Sequence, residues 1–304
     1  MSLKEVYDVV ADTAELKWFF DHVIQRPAVN ESYSAVFVSR HKKLTKEQQE
    51  ELGLTRKESE FLATVTFKLR TIKDAQRKDD QELWTFDQFL KTLRRLEVNK
   101  LAYTTAKGEP IPTSTISTIF YVNPGDDMKV CRKFVEEYSD VNEAISKAML
   151  NGKSVSDNYQ SYQWFGKAES TIKHLRANQK GTRHYLDFDI DVPSWFKVSY
   201  YDQLKTLLTE AYGLKNYVII DTSGGYHVLV KTSAIKKNPH DFCKDVEGIY
   251  KLGISRDGNE QYLDEKGNSK FECIVNDSQI PGLPLPGTYQ YNRKVTVLNK
   301  EDFE

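Results

Sequence analysis

The chain has 304 residues, of which 39% are hydrophobic and 29% charged, and its formal net charge is −1. That is the profile of one large or two ordinary globular domains, without repeats or low-complexity tracts and without a charge excess that would name a partner. No apolar run is long enough to span a bilayer and the N-terminus MSLKEVYDVV lacks a signal-peptide core, so a cytoplasmic protein that does not engage membrane is expected.

Residues 1–26 read as helix, with an apolar stripe in AELKWFFDHVI ended by Pro27. YSAVFVS (33–39) reads as strand. TKEQ (45–48) and TRKE (55–58) resemble capping boxes for helices that follow them. TFDQFLKTLRRLEV (85–98) predicts an amphipathic helix, and STISTIFYVNP (114–124) a strand ending in a turn at Pro124-Gly125. Helices are expected over 127–150 and 157–178.

Beyond residue 180 the pattern changes. A strand at 184–191 leads to a helix at 200–212 and a strand at 217–221; TSGG (222–225) turns tightly into a strand at 226–231. A helix is expected near 239–252, then a hairpin turning at Lys266-Gly267-Asn268, then a Pro- and Gly-rich segment that becomes strand-like. The fold class is α+β. The expected division is 1–155, a helix-rich N-terminal region packing on the rest, and 156–304, which holds most of the informative chemistry.

Three cysteines, Cys131, Cys243 and Cys273, lie far apart in the chain. That favours a reducing compartment over a disulfide framework, and His240 with Cys243 is too little for a metal site. Basic runs include Arg40 with Lys42 and Lys43, and Lys173, Arg176 and Arg183. They are candidates for tracking a nucleic-acid backbone, against the plainer reading of solvated faces.

Three motifs carry chemistry. In YLDFDID (185–191), strand alternation puts Asp187, Asp189 and Asp191 on one face, where they repel unless water or a cation lies between them. Hard oxygen donors suit Mg²⁺ or Mn²⁺. In VIIDTSGGYHVLV (218–230), Ser223, Gly224 and Gly225 could cradle a phosphate, with His227 on the face of Gly225 and Leu229. An ordinary hairpin with a core histidine is the competing reading. In FECIVNDSQIPGLPLPGTYQYNRK (271–294), Glu272 sits in an apolar strand, and Pro286-Gly287-Thr288 turns toward Arg293 and Lys294, two cations able to neutralise phosphate.

In this order the motifs resemble those of the archaeo-eukaryotic primase superfamily, over about residues 180–298. The D-x-D strand, S-G-G-x-H, a strand acid and L-P-G-T before N-x-K each have a counterpart there. The resemblance implies a primase-like core, a mixed or antiparallel sheet flanked by helices. It further implies a DNA primase or primase-polymerase, a template-directed nucleotidyltransferase acting in replication. Two divalent metals would be held by Asp187, Asp189, Asp191 and Glu272, with His227 also in the catalytic set. Nucleotide would be bound by Ser223, Gly224, Gly225, His227, Arg293 and Lys294. FDID selects Asp189 and Asp191, YLDFD selects Asp187 and Asp189, and Asp189 is common to both.

Counting back from Pro286 by the family's usual interval lands on Glu272, where the family has Asp; Asp277 competes for the role. The chain also lacks the basic residue many members carry before this Pro, a role for which Arg293 or Lys294 could substitute. Implied partners are a single-stranded DNA template, nucleoside triphosphates, and a replicative helicase or other replication proteins. The unfamiliar N-terminal half suits a viral or mobile-element source, with the host cytoplasm as compartment. Two alternatives stay open: a catalytically decayed nucleic-acid-binding replication protein, and a metal-dependent nuclease or other phosphoryl-transfer enzyme.

Overall fold

The computed structural model describes residues 5–40, 44, 46–53, 59–73, 80–151, 181–192, 194–256, 271–276 and 282–303. The expected helix at 157–178 and the hairpin turn at 266–268 lie outside them, as do Lys42, Lys43, Lys173, Arg176 and Asp277.

The first half combines its helices with a sheet. Strand β1 (Glu31–Arg40) lies between β2 (Ser59–Phe67) and β5 (Ile116–Tyr121), and every described pairing is antiparallel. TRKE (55–58) lies outside the described residues, and from Ser59 the chain is strand where a helix was expected. Thr64, Val65, Thr66 and Phe67 carry β-favouring side chains, and the ladder to β1 takes the backbone hydrogen bonds a helix would need.

The first helix is shorter than expected. In α1 (Thr13–His22), the Asp12 carboxylate accepts the amides of Ala14 and Glu15, which fixes the start. The residues ahead of it are held in extended pairings, Val6 with Asn99 and Val10 with Thr288. Helix α2 (Lys46–Glu51) is a short turn, and β3 (Arg70–Lys73) pairs with β4 (Asp80–Leu83). Helix α3 (Phe86–Leu93) follows its Thr85 cap, as its amphipathic pattern predicts. Strand β6 (Gly125–Asp126) pairs with the start of β1, and α4 (Asp127–Leu150) follows at once.

The second half forms a five-stranded antiparallel sheet in the order β10-β7-β9-β8-β14. Its strands are β7 (Tyr185–Asp191), β8 (Tyr217–Asp221), β9 (Gly225–Lys231), β10 (Glu272–Asn276) and β14 (Thr296–Val297). Helices α5 (Ser194–Tyr212) and α6 (Pro239–Arg256) join the strands. Leu186, Phe188 and Ile190 of β7 share one core with Tyr200, Leu204, Leu208, Phe242 and Val246 of these helices. From the opposite face, Tyr185, Val218, Ile220 and Leu229 join the core containing Leu16, Phe19 and Phe120 of the first half.

The two halves interleave. Strands β11 (Gly282–Pro284) and β12 (Tyr289–Gln290) pair with β5, β13 (Arg293–Lys294) pairs with β12, and β14 then returns to the second sheet. A cut at residue 155 therefore leaves three late strands in the first half's sheet. Buried Glu15 of α1 adds a polar tie, accepting the Val297 amide at 2.7 Å. No helix among the described residues is long and apolar enough to cross a membrane.

Candidate functional site: an acidic face across three strands

Strand register assembles the site. Directly opposed residues of an antiparallel pair share a face. Asp189 lies opposite His227 of β9 and Ile274 of β10, and Asp191 lies opposite Gly225 and Glu272. Asp187 lies opposite Leu229 and Asn276. One face thus carries three aspartates, one glutamate, one histidine and one asparagine.

The three aspartates differ sharply in setting. Asp187 is completely buried, and its carboxylate meets His227 Nδ1 at 3.1 and 3.2 Å and accepts from Asn276 Nδ2 at 2.8 Å. A fully buried carboxylate is costly unless paired and hydrogen-bonded, and these two partners supply both conditions. Its oxygens are committed to orienting the imidazole. The Asp189 side chain is 40% exposed, with Oδ1 3.5 Å from His227 Nε2. Burial raises its carboxyl above the usual range; the His227 charge opposes that rise, whereas Asp187 and Asp191 add to it. Asp191 is exposed at the strand end.

His227 is therefore clamped between two carboxylates. Burial pulls the imidazole pKa down, but the negative charges of Asp187, Asp189 and Asp191 and the bond to Asp187 outweigh it and raise it to about 9. At neutral pH the ring is an imidazolium, a fixed positive charge beside the acids.

Glu272 stands opposite Asp191 on the acidic face but is exposed. An apolar strand suggests burial for it, and the structure overturns that. Strand β10 pairs only with β7, so its outer side is a sheet edge among the described residues. Asn276, which holds Asp187, carries no motif signal, but strict alternation from Glu272 through Ile274 puts it on this face.

The Gly-Gly turn carries its own hydrogen bonds. The Ser223 amide donates to Gln290 Oε1 at 2.7 Å, and the Gly225 amide to Thr222 Oγ1 at 3.3 Å. Of the two glycine amides expected to meet phosphate, that of Gly225 is thus engaged. Gly225 has a packing reason instead, because a Cβ there would stand 1.9 Å from the Ile190 carbonyl oxygen. Gly224 is near the acids, its added Cβ reaching 3.3 Å from Asp191 Oδ1. The Ser223 hydroxyl is buried with no hydrogen-bond partner among the described residues.

The Pro286-Gly287-Thr288 turn packs under α1. Gly287 has φ +80°, a Cβ there would lie 2.6 Å from the Leu16 amide nitrogen, and its carbonyl accepts from Ala11 and Asp12. The turn delivers Gln290 to the Ser223 loop, a residue without any local sequence signal. The two cations after it are already paired: Arg293 with Asp221 at 2.6 Å, and Lys294 with Asp12. Lys294 is the main reason the Asp12 carboxyl falls to about 2.

Arg40 ends β1 and reaches this site from the other sheet. Its guanidinium acts on Tyr291 by charge and by a side-chain hydrogen bond, and on Asp189 by charge. Strand pairing explains the approach, since Ser39 lies opposite Ile116, whose carbonyl accepts the Tyr291 amide. Arg183 is exposed and reaches the Asn276 carbonyl at 3.4 Å, at the end of β10.

Among the described residues no group of three or more His, Cys, Asp or Glu side chains is placed so that it could hold a metal ion. Asp189, Asp191 and Glu272 nevertheless supply three hard oxygen donors on one face of adjacent strands, a donor chemistry suited to Mg²⁺ or Mn²⁺. No family model, curated protein or solved structure matches the chain.

Proposed function

We propose that the chain is a template-directed nucleotidyltransferase, a DNA primase or primase-polymerase that joins nucleotides on a single-stranded template. The observation that carries this reading is the shared face of Asp189, Asp191, Glu272 and an oriented, charged His227 on three adjacent strands. Asp189, Asp191 and Glu272 would hold Mg²⁺ or Mn²⁺. Such ions activate an attacking hydroxyl and steady phosphate oxygens in nucleotidyl transfer.

The protein's own groups have distinct parts in this reading. Asp187 orients His227 and keeps it protonated, and the imidazolium offers a charge-assisted donor to a nucleotide phosphate. The Ser223 hydroxyl and the Arg40 guanidinium would contact the same substrate, with Arg40 taking the part expected of Arg293 or Lys294, which are paired with Asp221 and Asp12. Gln290 positions Ser223 through its amide. Arg183, exposed beside β10, is a candidate for contact with the template backbone.

The test is incubation of the full chain with a single-stranded template, labelled ribo- or deoxyribonucleoside triphosphates, and Mg²⁺ or Mn²⁺. Products longer than any input strand support the reading. A second reading, a nucleic-acid-binding replication protein without catalysis, draws on the absence, among the described residues, of a group of His, Cys, Asp or Glu side chains that could hold a metal ion. It predicts template retention with no extension in either metal. Shortened strands would instead indicate a nuclease.

A further inference from the structure

Two cysteines thirty residues apart in sequence meet in the second core. Cys243 lies on α6 and Cys273 on β10, with their Sγ atoms 3.0 Å apart. Both are free thiols and both are buried, whereas Cys131, the third cysteine, is exposed on α4. Side chains around them are apolar, including Phe242, Val246 and Tyr250 of α6 and Phe271 beside β10. The Cys273 amide also faces Glu247 Oε1 at 3.5 Å, so α6 and β10 are already held in register at this point. Wide sequence spacing argues against a disulfide, and the packing of α6 on β10 removes that objection.

We infer that Cys243 and Cys273 form a site of reversible disulfide modification that ties α6 to the strand carrying Glu272. The co-reactant is a low-molecular-weight disulfide such as oxidised glutathione. One protein thiolate attacks it, releasing one small thiol and leaving a mixed disulfide on the protein. The second thiolate then attacks the protein-bound sulfur, forms the Cys243–Cys273 bond and releases the second small thiol. Both S–H bonds are lost, one S–S bond is made and one is broken. The two electrons and two protons leave with the two small thiols.

Contact between the sulfurs means that bond formation requires local adjustment and no rearrangement of the fold. The bond closes a thirty-residue span that includes the segment between α6 and β10, so the oxidised form is expected to resist unfolding more than the reduced form. Burial makes the first step slow, because attack waits for transient opening between the helix and the edge strand.

The full chain is incubated under non-denaturing conditions with reduced or oxidised glutathione, quenched, denatured and alkylated, and its mass and cross-linked peptides are read. After oxidation, one alkylation site is expected to remain, on Cys131, with a single cross-linked peptide pair joining Cys243 to Cys273. Dithiothreitol should restore all three sites. The thermal midpoint should rise by several degrees on oxidation in the wild type. That rise should be absent from Cys243→Ser and from Cys273→Ala, while Cys131→Ser should keep it. Three alkylatable thiols after prolonged oxidation of the folded wild type would overturn the inference. So would a cross-link through Cys131, or stable glutathione adducts in place of the internal bond.

Discussion

Replacing Asp187 with Asn should destabilise the protein in a manner governed by the protonation of His227. In the wild type the imidazole pKa is raised to about 9, chiefly by the charge of Asp187 and the bond to it working against burial. Its unfolded value is about 6.5. A raised histidine contributes stability that is fully present below the unfolded pKa and is lost as pH rises through the folded one. At about 1.4 kcal/mol per pH unit of separation, the contribution is about 3 kcal/mol near pH 6, about 2 kcal/mol near pH 7.5 and close to zero near pH 10. Asp187→Asn removes the principal source of that elevation and retains hydrogen-bonding groups for both His227 and Asn276.

The destabilisation should therefore be largest in acid and shrink as pH rises through about 9, apart from a small offset common to all pH values. Urea unfolding of wild type and variant at about pH 6, 7.5 and 10, without added metal, measures the difference. A stability loss that is constant from pH 6 to pH 10 would refute the clamped-imidazolium account. His227 would then be a neutral core histidine.

Asp189→Asn should abolish nucleotide incorporation at saturating Mg²⁺ or Mn²⁺ yet melt no earlier than wild type, because it relieves repulsion with Asp187 and Asp191; strand extension and circular dichroism read the two effects. Glu272→Gln should leave stability within about 0.5 kcal/mol, since the side chain is exposed, while crippling incorporation. Near-normal extension would remove Glu272 from the metal set. Gly225→Ala should cost roughly 3 kcal/mol or more, because its methyl meets the Ile190 carbonyl oxygen head-on, and an unchanged denaturation midpoint would refute that contact. Template affinity should fall with salt at about 0.7 in log–log slope for each phosphate neutralised; a flat response would mean that Arg183 and the other basic residues only solvate the surface.

Local pattern was enough to determine much of this protein. Alternation alone puts Asp187, Asp189 and Asp191 on one face, the Gly-Gly turn separates β8 from β9, and apolar periodicity marks α3, α5 and α6. These features depend on neighbours a few residues away, and periodicity records them directly. Identical-looking local signals failed where long-range pairing won: TRKE announces a helix, yet residues 59–67 find their hydrogen bonds on β1.

Only the tertiary structure decided what each acid is worth. Asp187, Asp189 and Asp191 are equivalent in sequence, but one is buried against His227 and Asn276, one is half-exposed, and one is at the surface. The same holds for the cations: Arg293 and Lys294 stand in the right place in the chain but are paired with Asp221 and Asp12, while Arg40, far upstream, bears on Asp189. Cys243 and Cys273 meet for the same reason. Burial, charge pairing and thiol contact are set by which strands and helices become neighbours, and residues distant in sequence acquire those neighbours only when the chain has folded.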